Sequence, residues 1–99
     1  MSKHPYLTDF RSGPRAIVVT VYSRPGCHLC KEAIEEIVAI HGEGRDFELH
    51  EVDIESDELL LRRMLERIPV VEVDGVVVSE LSLDATALRT RLDTVGGKR

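Results

Sequence analysis

Tyr22-Ser23-Arg24-Pro25-Gly26-Cys27-His28-Leu29-Cys30 is the stretch that decides how this chain folds. Just upstream, residues 16–22 (AIVVTVY) form a β-branched apolar run of strand length. The run and its flanking turn residues predict a strand buried on both faces. Ser23-Arg24-Pro25-Gly26 breaks it. A helix is predicted over about 28–41. Cys30, Ala33, Ile34, Ile37, Val38 and His41 fall on one face, with Lys31, Glu32, Glu35 and Glu36 opposite. Gly42 and Gly44 end it. Cys27 therefore lands at a helix N-terminus, where backbone N–H groups lack helical partners. Those amides and the helix dipole favour an anion, here a thiolate. Three residues make about one helical turn, so Cys30 lies beneath Cys27 and the two sulfurs can reach bonding distance. Cys27 is expected to be the exposed attacker and Cys30 the more buried resolver. Arg24, His28 and Lys31 bring three potential cations close by.

Downstream, residues 47–52 (FELHEV) alternate as a second strand until the pattern shifts near Val52. Glu55-Ser56-Asp57-Glu58 opens a second helix, with acids in its first turn where the dipole favours them. Leu60, Leu61, Met64 and Leu65 supply its apolar stripe. Pro69 stops it, because the residue before a proline is pushed out of helical geometry. Val70-Val71-Glu72-Val73, then Asp74-Gly75, then Val76-Val77-Val78-Ser79 reads as a hairpin with a two-residue turn. Ser82 or Asp84 can cap a last helix with Leu83, Ala87, Leu88 and Leu92 inward. The predicted order is β-α-β-α-β-β-α. A right-handed crossover makes the first two strands parallel, and the hairpin adds an antiparallel pair. The expected architecture is α/β, a four-stranded mixed sheet flanked by helices on both faces. Residues 1–15 read as a flexible N-terminal extension, 16–95 as the domain, and 96–99 as a disordered tail.

Composition narrows the function classes. With 99 residues, the chain forms one domain. Thirteen basic residues against 18 acidic ones give a net charge of −5, which argues against nucleic acid and anionic membranes as partners. Apolar runs are far too short to span a bilayer, and residues 1–15 lack the apolar core of a signal peptide. A disulfide-stapled secreted domain would scatter several cysteines, whereas the two here sit in one Cys-x-x-Cys. Cytoplasmic localisation is expected.

The same motif can be half of a zinc site, but such a site needs four ligands, and His4, His28, His41 and His50 lack metal-site spacing. A disulfide closing so short a loop would constrain little, so a purely structural role is a poor fit. His28 is either a thiolate-stabilising cation when protonated or a plain exposed first-turn residue. His41 reads as a packed histidine and His50 as a solvent-face strand residue. Glu35, Glu36, Glu43, Glu48 and Glu51 read as a solvated acidic surface. Arg62 is expected to pair with Glu58 at i,i+4. Arg67, beside the proline, is placed to touch an anionic substrate. Leu29 reads by position as an apolar contact facing a partner.

Cys27-His28-Leu29-Cys30 after the first strand, with Pro69 opening the strand of a terminal hairpin, resembles the thioredoxin superfamily, and within it the glutaredoxin-like branch. Residues 22–30 look like a glutaredoxin active-site segment. Ile68-Pro69-Val70-Val71 followed by Val73-Asp74-Gly75 looks like that family's cis-proline strand and turn. The combination is most similar to small bacterial proteins with a Cys-x-Leu-Cys centre, and it covers about residues 16–92. Gly26 stands where thioredoxins place a Trp, and Val18-Val19-Thr20-Val21 lacks their buried Asp. Glutaredoxins usually carry a Gly-Gly after the last strand, where this chain has Val78-Ser79-Glu80-Leu81.

The resemblance implies a thiol-disulfide oxidoreductase with catalytic Cys27 and Cys30. It implies a cis Ile68-Pro69 bond whose neighbouring backbone, at Ile68 and Val70, pairs with an extended substrate. Arg24 and His28 complete the expected substrate-binding set. No metal or organic cofactor is required. The expected substrate is a disulfide-containing protein or a glutathionylated one, and the electron donor is glutathione or a thioredoxin reductase-type flavoprotein. The alternative is a glutaredoxin-like module that binds a metal or iron–sulfur cluster, or docks a partner without turnover.

Overall fold

A computed structural model describes residues 16–96. The extension expected over 1–15 lies outside the described residues, as do 97–99. Strand β1 (Val18–Ser23) is followed by helix α1 (His28–Gly42) and strand β2 (Glu48–Asp53). A 3₁₀ turn (Ile54–Ser56) leads into helix α2 (Glu58–Met64). Strands β3 (Val70–Val73) and β4 (Val76–Glu80) form the hairpin, and helix α3 (Ala85–Gly96) closes the fold. The order is β-α-β-α-β-β-α, as the sequence patterns predict.

The sheet runs β2-β1-β3-β4. β1 pairs parallel with β2 and antiparallel with β3, and β3 pairs antiparallel with β4. The Asp74-Gly75 turn needs positive φ at both positions, and Asp74 (+50°) and Gly75 (+86°) supply it. The Asp74 carboxylate then accepts the Val18 amide at 2.9 Å, which ties the turn to the start of β1. On edge strand β4 the register slips between Ser79 and Val77, leaving Val78 as the extra residue of a bulge.

Alternation along the strands divides the core. Val19 and Val21 of β1 and Val71 and Val73 of β3 meet Ile37 and Ile40 of α1 and Leu88 and Leu92 of α3 on one face. On the other face Val70 packs with Ile54 and Met64, flanked by Tyr22, Leu60, Leu61 and Ile68. The two faces are unequal. The expectation of a strand buried on both faces is met on one face only: Val19, Val21 and Ser23 are buried, while Val18, Thr20 and Tyr22 on the other face are half-buried. The reason is that α2 is a seven-residue helix and covers little of its face.

Helix α1 buries Cys30, Ala33, Ile37 and Ile40. Ile40, three residues after Ile37, holds the inward position, and Val38 and His41 are exposed. His41 sets its ring edge-on to Phe47, with centroids 5.0 Å apart. The acids before α2 act as two separate caps. Asp53 accepts the Glu55 amide at 2.8 Å, and Asp57 accepts the Leu59 and Leu60 amides at 2.8 and 3.2 Å. Leu65 falls just past α2 and is exposed. Asp84, rather than Ser82, caps α3, taking the Ala87 amide on its carboxylate at 2.9 Å and the Leu88 amide on its carbonyl at 3.0 Å. α3 extends through Gly96. Among the described residues no helix is long and apolar enough to cross a membrane.

Candidate active site

β1 delivers the site to one end of the sheet. After Ser23 the chain turns through Arg24-Pro25-Gly26-Cys27, closed by the Cys27 amide donating to the Arg24 carbonyl at 3.2 Å. Proline pre-sets the second position of such a turn, and Gly26 takes the left-handed φ of +82° that the third position demands. The turn places Cys27 as the N-cap of α1, with extended backbone (φ −82°, ψ 107°). Its sulfur accepts the Cys30 amide at 3.1 Å, and its carbonyl accepts the Lys31 amide at 3.1 Å. A helix start thus hands one of its unpartnered amides to a sulfur atom.

The two sulfurs are joined as a disulfide, with Cα atoms 5.2 Å apart. Their environments differ: Cys30 is 2% exposed, whereas Cys27 is half-exposed. An incoming thiol or disulfide therefore meets Cys27 first. Beside the pair opens a hollow of about 640 Å³, lined by Ser23, Arg24, His28, Lys31, Ile34, Glu35 and Glu51 among others. Glu51 enters it from β2, where it accepts the buried Ser23 hydroxyl at 2.9 Å.

The basic side chains near the pair differ in their contacts, and Lys31 lines the hollow exposed. Arg24 clamps Glu55 through Nε (2.9 Å) and Nη2 (2.7 Å). His28 Nε2 lies 2.9 Å from Glu32, one turn along α1. At the start of the hairpin Arg67 meets Glu80 at 2.7 Å. The hydrogen bond from Arg67 and its positive charge hold the Glu80 carboxyl below the ordinary carboxylate range. Arg62 pairs with Glu58 at 3.1 Å, the i,i+4 contact the sequence predicts.

The structure brings Arg24 and His28 to the hollow beside Cys27 and Cys30. Ile68, Pro69 and Val70 do not line that hollow. They lie at the same end of the sheet, because Tyr22 at the close of β1 is paired with Val70 at the opening of β3. Ile68-Pro69 is a cis peptide, Pro69 and Val70 are fully buried, and the Ile68 amide donates to the Met64 carbonyl at 3.1 Å. Among the described residues no group of three or more His, Cys, Asp and Glu side chains is arranged to hold a metal ion.

A family model described as a glutaredoxin-like domain (DUF836) matches residues 18–93. The chain belongs to this glutaredoxin-like family. The match runs from the first residue of β1 well into α3 and takes in both cysteines and Pro69. Among solved structures, this glutaredoxin-like chain is similar to protein Ne2328 from Nitrosomonas europaea, with 28% identity, a TM-score of 0.68, and coverage of 77% of this chain and 91% of that one. It is also similar to protein XcR50 from X. campestris, with 30% identity, a TM-score of 0.62, and coverage of 77% and 96%. A thioredoxin variant from Halobacterium salinarum is 21% identical, with a TM-score of 0.56 over 80% of this chain and 74% of its own, and shares the fold. No curated protein matches the chain significantly.

Within this glutaredoxin-like fold, sequence reasoning misses Glu51 and Glu55 as site residues, and it picks out Glu80 as a polar candidate after the last strand without its partner Arg67. Glu51 reads as a surface acid, yet alternation in the parallel register puts it on the same sheet face as Ser23. Glu55 and Glu80 reach Arg24 and Arg67 across folded loops, and no local spacing signals either pair.

Proposed function

We propose that the chain is a dithiol thiol-disulfide oxidoreductase. The observation that carries this reading is Cys27 capping α1, its sulfur receiving the Cys30 amide and bonded to the buried Cys30. In the reduced protein the same amide and the helix dipole favour the Cys27 thiolate. That thiolate attacks a substrate disulfide, forming a mixed disulfide and expelling one substrate sulfur as a thiolate. The Cys30 thiol then loses its proton and attacks the Cys27 sulfur, which releases the second substrate sulfur. Two electrons have passed to the substrate, and the Cys27–Cys30 disulfide is restored. A donor dithiol, or two molecules of a monothiol such as glutathione, then reduces the Cys27–Cys30 disulfide to the dithiol and leaves as the donor's own disulfide. Arg24 and His28 border the entry to Cys27. Ile68, Pro69 and Val70 stay the proposed substrate-facing corner at the same sheet end, although the Ile68 amide is taken by the Met64 carbonyl and Val70 is paired in the sheet on both sides.

Variants separate the two roles. Cys30→Ser should accumulate a mixed disulfide on Cys27, visible by mass spectrometry, while Cys27→Ser should form none and turn nothing over. Full activity of Cys30→Ser on a glutathionylated substrate would replace the dithiol route with a monothiol one. Assays driven by glutathione with its reductase, or by thioredoxin reductase, identify the donor class.

A further inference from the structure

The sheet has one filled face and one half-empty one. Toward α1 and α3 the apolar cluster takes in Val19, Val21, Val71 and Val73. On the other face the cluster gathers around Val70 and Tyr22, at the end nearest the cysteines. The far end of that face is crossed by one row of paired residues, His50, Thr20, Glu72 and Val77, one from each strand. Val18 and Glu48, paired to each other, lie beside the row. Val18 and Val77 belong to neither apolar cluster, and Val77 is 42% exposed. A sheet built around a parallel pair is normally covered on both faces, so this patch calls for a cover.

Residues 1–15 lead straight into this patch, since the chain enters β1 at Val18. Gly13-Pro14 is a turn dipeptide just upstream, where a reversal sends the preceding residues back across the sheet. The face toward α1 and α3 is already filled, so the open face is the one with room. Twelve extended residues reach about 40 Å, and four strands span only about 14 Å. The chemistry also matches. Tyr6 and Phe10 are two of the four aromatics in the chain. The segment carries Lys3, Arg11 and Arg15 against the single acid Asp9, whereas the rest of the chain holds 17 acidic and ten basic residues. Face-to-face pairing of two copies would instead bring Glu48 and Glu72 against their own counterparts. The family match begins at residue 18, so the segment lies outside it. We propose that residues 1–12 turn back at Gly13-Pro14 and cover this face, with Tyr6 and Phe10 over Val18, Thr20 and Val77 and with Lys3 and Arg11 toward Glu48 and Glu72. This cover is independent of the oxidoreductase chemistry, because the patch lies at the start of β1 and Cys27 follows its end.

The chain has no tryptophan, so Phe10→Trp in the full chain gives emission from residue 10 alone. Docking predicts a native emission maximum blue-shifted from that of the same protein in urea, and acrylamide quenching several-fold weaker. In that background Val77→Asp should lower the docked-to-open ratio about tenfold, the scale of one buried apolar contact. Arg11→Glu, which lies outside the sheet and its helices, should lower it less, and less again in molar salt. Far-UV circular dichroism matched to the parent shows that the domain stays folded in both. In the unsubstituted chain, nuclear Overhauser contacts should join the Phe10 ring to methyl groups of Val18 or Val77. Native emission already at its position in urea, or a Phe10 ring without contacts to that face, would overturn the proposal. So would a blue shift that both substitutions leave unchanged, which puts the segment elsewhere, or one lost on dilution, which assigns the cover to a second copy. Each of these results leaves the oxidoreductase reading intact.

Discussion

The two ends of helix α1 solve opposite problems. At the N-terminus, Cys27 caps the helix with a sulfur atom that is half-exposed and bonded one turn along to Cys30. The surrounding polar groups form separate local pairs, Arg24 with Glu55 and His28 with Glu32. At the C-terminus, Glu43 joins Arg45 and Arg89, and Arg45 continues to Asp93 at 2.9 Å. This network fastens the end of α1 to α3 across the surface. One end leaves a helix cap available for exchange with an outside sulfur, and the other consumes its polar groups internally. On the proposed function, reactivity belongs to the end where backbone amides, not side-chain charges, stabilise the sulfur.

The largest expected effect comes from breaking the reactive end. Cys27→Ser should lower disulfide reduction by about a thousandfold or more, since it removes the attacking atom itself. Its thermal unfolding should be compared with that of the reduced wild type, because both then lack the disulfide. A much lower midpoint in the variant would mean that Cys27 serves structure more than exchange.

Next comes the body of the helix, which serves both ends. Ile37 is fully buried between β1, β3 and α3. Ile37→Ala should cost about 2–5 kcal/mol of stability, measured by urea unfolding. Exchange per folded molecule should persist, because the cap geometry lies more than two turns away. Gly26→Ala should have a smaller effect on stability, about 1–2 kcal/mol, because it places a Cβ at φ +82° in otherwise open space. Its effect on the rate should exceed its effect on stability, since the turn aims Cys27. An unchanged rate would detach the turn from the site.

The weakest expected effect belongs to the polar end. Arginine partners hold Glu43 and Asp93 below the ordinary carboxylate range, chiefly through hydrogen bonds from Arg89 and Arg45. Folded carboxyls with depressed values bind protons less readily than the unfolded chain does. Their stabilisation is therefore present above the unfolded value and lost as pH falls through the folded one. Arg45→Ala should lower the thermal midpoint slightly at neutral pH and low salt, and by less in molar salt. The difference from wild type should shrink as pH falls below the ordinary carboxylate values of about 3.9–4.3 and on through the lower folded ones. A pH-independent difference would assign Arg45 a packing role.

The same division explains what the sequence revealed. Element order followed from short-range signals: the β-branched run before Ser23, the Gly26 turn, the proline at 69 and the Asp74-Gly75 pair. The cysteine pair was legible because its spacing is itself the geometry. Ile40 was missed because Val38 and His41 compete for the same stripe at the helical period, and only the position of the sheet chooses. Partial burial of β1 could not be read from AIVVTVY, since it depends on how short α2 turns out to be. The roles of Glu51 and Glu55, and the pairing of Glu80 with Arg67, stayed hidden for a similar reason. Each meets its counterpart only after strands and loops have packed, over separations that carry no periodic signal.

The central claim is that the cap of α1 activates Cys27 in preference to Cys30. Alkylation of the fully reduced protein by iodoacetamide, followed across pH with peptide mapping, tests it most directly. The account predicts that Cys27 is labelled well ahead of Cys30 at about pH 6, below the range where an ordinary thiol reacts appreciably. Preferential labelling of Cys30, or equal labelling that begins only at alkaline pH, would contradict it.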